Sequence, residues 1–530
     1  RRRYNPNIQP LAVEAAYTLV GDRRVPVDRS RIEDKPLAST PFGFDEQRQV
    51  MIPFAEVEVG TAVVTKIRRV TTQVALPGFW STELLFGAPA RQRAARVTIR
   101  SERPLHVSTN DPGGVLRVEQ APTDGPTTVT VTLVTPVYRF PVDEQDVWMD
   151  YESVPWVAVS TERDWVAAAR PMTARYEALL AAPLPPRFEA IRAKAAAVAD
   201  PSERRNVVTS ELAAQIHYLG DWRTLQGRFV PRALAAIAET QSGDCKDFAA
   251  ATTAILRALG ERADVAWIRR GFPYRRLPAA TPLVGDFNHA IVHVRGADGE
   301  RWLDPTNATS FAQGTYPDIA GRPALVVTGA APTLLATPAT RPGDGEVRGT
   351  RIVRFAPEER QVIDGTLTLR GATAIGYTGA ELTRSKRSID YALAGYFGEE
   401  KDLHEWTLDA YDLRSRVVRD LEFRARLVQR DAPMRTSAGD AYYLGGGGRA
   451  VEALLTPTTE RVSGLVNGTP YAFRSTTELR DVRRIGDHSL DCAVTSPWID
   501  FTRTVADVRG GILIDEDAVL QQAVISNAEL

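Results

Sequence analysis

The sequence predicts an α+β, multidomain chain that is β-rich at both ends and helical in between. Three observations carry this reading. Residues 1 to about 157 hold alternating or Val-, Thr- and Ile-rich segments such as AAYTLV, AARVTIRS and TVTVTLVTPVYRF, the period-two pattern of half-buried strands. From residue 161 the apolar positions fall at helical spacing. From about 346 the strand pattern returns. With 530 residues there is chain enough for two to four domains.

The first region, 1–157, is punctuated by NDPGG and APTDGP, turn-forming clusters that suit an antiparallel β-sandwich. The second, 158–340, opens with TERDWVAAARPMTARYEALLAA, mostly helical with a break or kink expected at Pro171. RFEAIRAKAAAVAD and SERRNVVTSELAAQIHYL follow, and Val207, Leu212, Ile216 and Leu219 can share one helix face. PRALAAIAET reads as a short helix with Pro231 at its first position. Two strands come next, then PALVVTGAAPTLLATPATRP, read as an exit linker. The third region, 341–530, carries the strand-like segments RIVRFA, GTLTLRGAT, WTLDAYDL, LEFRARLVQR, YAFRSTTELR and GILIDEDAVL. ELTRSKRSIDYALAGYF adds one helix, and AYYLGGGGRA is a flexible turn. No repeat of fixed period is present.

Composition narrows the function classes. Lys plus Arg number 65 and Asp plus Glu 66, a net charge of −1, so nothing pulls the chain toward nucleic acid or an anionic membrane. No apolar run reaches the roughly 18–20 residues a membrane span needs, so no integral membrane segment is expected. The chain opens RRRYNPN without Met and reads as processed or trimmed. The six histidines form no HxxxH or HExxH helix pair and there is no CxxC. Neither metal nor cofactor is therefore expected. Of the two cysteines, Cys492 reads as a small buried residue in a strand.

Cys245 is different. It lies in QSGDCKDFAAATTAILRALG, where a loop becomes a helix. Phe248, Ile255, Leu256 and Leu259 make the apolar face, Gly260 ends the helix, and Asp244 is the expected N-cap. Thiolate is the attacking form of cysteine, and the unpaired N–H groups and dipole of a helix N-terminus favour negative charge. The same N–H groups can donate to an oxyanion. A base is available downstream. GDFNHAIVHV is a strand with His289 at its start, and RWLDPTN a second strand ending at Asp304. RGADGE joins them as a hairpin turn. His289 and Asp304 can then lie on neighbouring strands near one end, Asp304 orienting the imidazole and His289 activating Cys245.

GDCKD, FNHAIVHV and WLDPT together resemble the transglutaminase-like superfamily, which shares the papain-like cysteine-enzyme core. The flanks resemble bacterial members that carry a β-sandwich domain of unknown function upstream and a β domain downstream. The opening RRRYNPNIQPLAVEAAYTLVGD is similar to the middle of that upstream domain, whose first strands are then expected to be absent. SPWIDFTRTV resembles the family's late strand segment. The resemblance implies a Cys-His-Asp triad of Cys245 (nucleophile), His289 (general base and acid) and Asp304 (orienting residue). It also implies a fold in which the nucleophile's helix packs on an antiparallel sheet carrying His and Asp. Family members often act outside the cytoplasm, which implies a periplasmic, secreted or cell-envelope location.

Other residues carry smaller expectations. The second oxyanion donor is sought in HYLGDWRTLQGRFVP, at the Trp222 N–H or the Gln226 amide, loop packing being the alternative for both; papain-like proteases place a glutamine where this chain has Glu239. Lys246 and Asp247 match the family motif, and Asp247 is expected to bond locally or pair with a nearby arginine. Asn288 reads as bonding a neighbouring loop, His293 as a core or rim histidine, and WIRRGFPYRR as a solvated basic loop. Two functions from different classes follow. One is a cysteine enzyme acting on peptide or carboxamide bonds of a peptide or protein substrate, by hydrolysis or by transfer to an amine. The other is a non-catalytic envelope binding or assembly module that grasps a protein partner through its β domains, with the core as scaffold.

Overall fold

The structure is a computed structural model. It describes residues 1–37, 42–74, 76–87, 91–121, 126–138, 147–148, 154–223, 228–271, 281–357, 360–394, 397, 403–408, 415–430, 434–437, 439–441, 464–466, 468–486, 489–521, 524–526 and 529. The chain is β-rich and multidomain.

In the first region most strands are antiparallel and grouped in threes. One sheet runs His106–Asn110, Trp156–Ser160, Ser81–Leu85, and another Leu116–Ala121, Thr127–Leu133, Arg96–Ser101. Val129 and Val131 of the second sheet and Val157 and Val159 of the first are fully buried in one cluster with Phe86 and Leu105. The alternation read in TVTVTL is this inward-facing row.

The central region is a helix layer on a five-stranded antiparallel sheet. Strand order is Gly299–Leu303, His289–Gly296, Arg262–Ile268, Pro323–Val326, Thr333–Ala336. Helix Cys245–Ala258 packs against it, with helices Trp165–Leu180, Pro186–Ala196 and Pro201–Gln215 around it. Phe248, Ile255 and Leu256 of the Cys245 helix are buried, each contributing about 1.5–3 kcal/mol of apolar burial. Gly260 ends the helix at φ +85°, a left-handed turn that suits glycine.

Several local expectations are corrected here. The Trp165–Leu180 helix runs unbroken through Pro171. The proline removes one helical bond, but Ala168, Met172, Tyr176 and Leu180 bury along one face and hold the helix together. Pro201–Gln215 ends before Ile216, and its buried face is Arg205, Val208, Thr209 and Leu212 rather than the row beginning at Val207. Arg205 turns inward because its guanidinium meets Glu261 at 2.7 Å and Asp298 at 2.7 and 2.9 Å. The short helix begins at Leu234, three residues beyond Pro231. The supposed exit linker supplies two strands of the sheet, Pro323–Val326 and Thr333–Ala336. Its prolines sit at strand ends, where no ladder N–H is required.

The other face of this sheet packs toward the third region: Ile268, Ile291 and Trp302 share a buried cluster with Leu367, Phe423 and Leu427. An eight-stranded sheet dominates that region, from Leu403–Leu408 at one edge to Cys492–Thr495 at the other. Gly345–Ala356 and Tyr471–Arg480 pair parallel at its centre. ELTRSKRSIDYALAGYF touches two helices rather than one, Ile375–Thr383 and Lys386–Ala394. Cys492 is exposed, not buried, because its strand is the sheet edge. Most of AYYLGGGGRA and the end of WTLDAYDL lie outside the described residues.

Candidate active site

Cys245 opens its helix immediately after a short parallel pairing of His217–Tyr218 with Ser242–Gly243. Leu219 N–H donates to the Gly243 carbonyl at 2.8 Å, which anchors the loop that delivers the cysteine. Asp244 occupies the N-cap position with extended backbone, and its N–H donates to Asp247 Oδ2 at 3.3 Å. Its own carboxylate turns elsewhere: Oδ2 accepts from Trp222 Nε1 at 2.8 Å and pairs with buried Lys246. Asp247 accepts from Arg232 N at 2.8 Å and Nε at 3.0 Å, the local pairing expected of it. Burial, then the charge of Asp244, pushes the Asp247 carboxyl up.

His289 begins the second strand and Asp304 is the first residue past the Val292–Leu303 pair. This register brings both to one end of the hairpin. His289 Nε2 and Asp304 Oδ2 are 2.9 Å apart, and both side chains are buried. With Nε2 engaged, Nδ1 is the nitrogen left for the thiol, and Cys245 and His289 line the same cavity. Burial works against the imidazolium, but Asp304 and then Cys245 outweigh it and raise His289 to about 10. Burial likewise opposes the Asp304 carboxylate, yet His289, Arg270 and Thr306 hold it below the ordinary carboxylate range.

Three further residues complete the surroundings and were not singled out in the sequence. Arg270 belongs to the segment read as a solvated basic loop. It is instead largely covered, with Nη1 3.2 Å from Asp304 Oδ2 and Nε donating to Asp318 at 2.6 Å. Asn288 fixes it, accepting from Arg270 N–H at 2.7 Å and donating to its carbonyl at 3.1 Å. The rest of that segment from 272 lies outside the described residues. Thr306 donates its hydroxyl to Asp304 Oδ1 at 2.6 Å and its N–H to the same oxygen at 3.1 Å. The sequence signal for Thr306 was its place two residues after Asp304 in DPT, an Asx-type turn.

Tyr218 is the third. It lines the same cavity as Cys245, and its ring stacks on Phe248 at 6.2 Å between centroids. Burial first, then the charges on Cys245 and Asp244, push its phenol up. By contrast, both N–H groups of Trp222 are already used: the backbone N–H donates to the Phe44 carbonyl and Nε1 to Asp244, each at 2.8 Å. Trp222 therefore offers no spare donor. Gln226 lies outside the described residues. His293 is a core histidine, stacked on Trp302 at 4.4 Å and pushed down by burial.

Cys245 and His289 open onto a cavity of about 370 Å³. Among the described residues no group of three or more His, Cys, Asp or Glu is arranged to hold a metal ion. No helix among them is long and apolar enough to cross a membrane.

A family model, a domain of unknown function with solved structures (DUF3857), matches residues 1–138. No curated protein matches the chain. Along its whole length the chain is similar to a structure from Parabacteroides distasonis described as a "putative protease". The TM-score is 0.64 and the identity 12%, over 100% of this chain and 86% of the other. The likeness is one of fold. The periplasmic domain of TgpA from Pseudomonas aeruginosa is also matched, at 19% identity over 42% of this chain and 75% of its own, with a TM-score of 0.18.

Proposed function

We propose that the chain is a transglutaminase-like cysteine enzyme that cleaves or transfers acyl groups at peptide or carboxamide bonds. The observation that carries this is the 2.9 Å contact of His289 Nε2 with Asp304 Oδ2 beside Cys245. In this reading His289 takes the Cys245 proton, the sulfur forms a bond to the carbonyl carbon, and the carbonyl electrons move to oxygen. The oxyanion lies between the Cys245 N–H and the Tyr218 hydroxyl, which replaces Trp222 as second donor. His289 gives its proton to the leaving amine as the C–N bond breaks. Water or an amine, deprotonated by His289, then attacks the thioester and releases the thiol. Asp304, held ionised by Arg270, keeps the imidazole oriented throughout.

The three regions, 1–157, 158–340 and 341–530, are read as an upstream β domain, the catalytic core and a downstream β domain. A periplasmic or envelope location rests on the family resemblance alone.

The test is the iodoacetamide labelling rate of Cys245, followed by intact mass, in the native protein and in His289→Ala. Exposed Cys492 serves as the internal standard. The expected result is a Cys245 rate that falls at least tenfold in the variant while Cys492 is unmoved. Equal Cys245 rates would remove the Cys–His pair and turn attention to the β regions as a binding module.

A further inference from the structure

The cavity in front of Cys245 has a wall that the central region does not supply. Leu76, from the first region, lines it together with Trp165, Trp267, Val284 and Phe287. Leu76 is almost fully buried, and Phe79 beneath it packs on Trp165 at 5.9 Å between centroids. Trp165 in turn meets Phe287 at 4.7 Å. The polar atoms of these walls are engaged in bonds within the protein. Trp165 Nε1 donates to Asp286 at 3.3 Å, and Trp267 Nε1 to the Tyr176 hydroxyl at 3.2 Å. Tyr176 itself donates to the Phe229 carbonyl at 3.0 Å.

The described charged lining residues are paired with one another or with neighbours, and only Asp244 Oδ1 lacks a partner. Arg228 is held by Asp45 at 2.8 Å, and Lys246 by Asp244. What the described lining offers a ligand is mostly carbon, plus the reactive groups of Cys245, His289 and Tyr218 and the unpartnered Oδ1 of Asp244. At about 370 Å³ the space is within the roughly 300–1,000 Å³ of small-molecule sites. A charged side chain seated against the Leu76, Trp165, Trp267, Val284 and Phe287 wall would lose its hydration to carbon.

We propose that this cavity selects acyl donors with a large uncharged apolar side chain beside the reacting carbonyl, and that Leu76 makes the first region part of that selection. The inference rests on the acyl-transfer reading. It assigns a role in substrate choice to a segment whose family model carries none.

The test uses the full chain and four probes that share one warhead: N-acetyl chloromethyl ketones of phenylalanine, alanine, glutamate and lysine. Cys245 labelling is followed by intact mass, and each rate is divided by the iodoacetamide rate of the same protein. The expected order has the phenylalanyl probe at least about tenfold ahead of the other three, the scale of discrimination an apolar pocket supplies. Leu76→Ala narrows the phenylalanyl-over-alanyl ratio, and Leu76→Phe, which fills the space, inverts it. A flat series or a lead for glutamyl or lysyl probes would overturn the pocket assignment. A native preference that both Leu76 variants leave intact would overturn the contribution of the first region. If His289→Ala left the iodoacetamide rate of Cys245 unchanged, the acyl-transfer reading itself would fall, whatever the order of the probes.

Discussion

Arg270 Nη1 and His289 Nε2 converge on the same oxygen of Asp304, at 3.2 Å and 2.9 Å. Two cationic partners on one buried carboxylate leave little reason for it to take up a proton. The guanidinium is therefore a positioning group for the histidine, acting through the aspartate. Arg270→Gln is expected to lower kcat/KM at least about tenfold, the equivalent of one pKa unit of lost stabilisation. The alkaline limb of the pH–rate profile should move to higher pH, because Asp304 stays ionised there and loss of the guanidinium removes a positive charge that disfavours the neighbouring imidazolium. A purely structural loss would lower the rate without moving the limb.

The same pair fixes a stability window. His289 is raised from 6.5 to about 10, so its contribution is complete below pH 6.5 and disappears as pH rises through about 10. Asp304 is lowered from 3.8, so its contribution is present above pH 3.8 and disappears as pH falls through its folded value. The loss on Asp304→Asn should be largest between about pH 4 and 6.5 and should shrink toward pH 10. Thermal unfolding of both proteins across that range measures it; a difference that grew with pH would contradict the assignment.

Tyr218→Phe removes one hydroxyl and keeps the ring that stacks on Phe248. If that hydroxyl stabilises an oxyanion, kcat falls by about 10²–10³-fold with KM little changed. A variant with native kcat would return the second-donor question to the undescribed stretch around Gln226.

Gly43 and Gly220 have no room for a side chain. A Cβ on Gly43 would lie 2.8 Å from the Trp222 ring, and one on Gly220 2.4 Å from it. Alanine at either position is expected to destabilise by about 1–3 kcal/mol through overpacking. Alanine at Gly285, where a Cβ would meet nothing within 4 Å, is the matched control. Chemical denaturation of the three variants gives the comparison.

Arg205 is buried with carboxylate partners on Glu261 and Asp298. Arg205→Ala strands those charges and should cost about 3–5 kcal/mol. Arg205→Met with Glu261→Gln, which removes charge from both sides, should cost less. Equilibrium unfolding distinguishes the two.

How far the sequence could be read depended on where the interactions lay. The Cys245 helix was legible because its apolar face, N-cap and terminating Gly260 are all local signals. The hairpin was legible because a short turn holds His289 and Asp304 in register. Arg205 was missed because a charged residue turns inward only when distant carboxylates meet it. Arg270 was read as solvated for the same reason: its partners Asp304 and Asp318 arrive from further along the chain. The strands at 323–336 were hidden by flanking prolines, which mark edges as readily as linkers. Tyr218 carried no pattern at all, since its meeting with Cys245 depends on the parallel pairing of 217–218 with 242–243.

The pairing of Gly43–Phe44 with Gly220–Asp221 bears on how the site comes into being. The neighbouring Asp45–Arg228 bridge joins positions 183 residues apart. Contacts of such range form late, since the entropy of closing the intervening chain must be met first. During synthesis Gly43–Asp45 emerges well before Trp222 and Cys245. The loop that delivers the thiol is thus fixed only when the two ends of that long span have met.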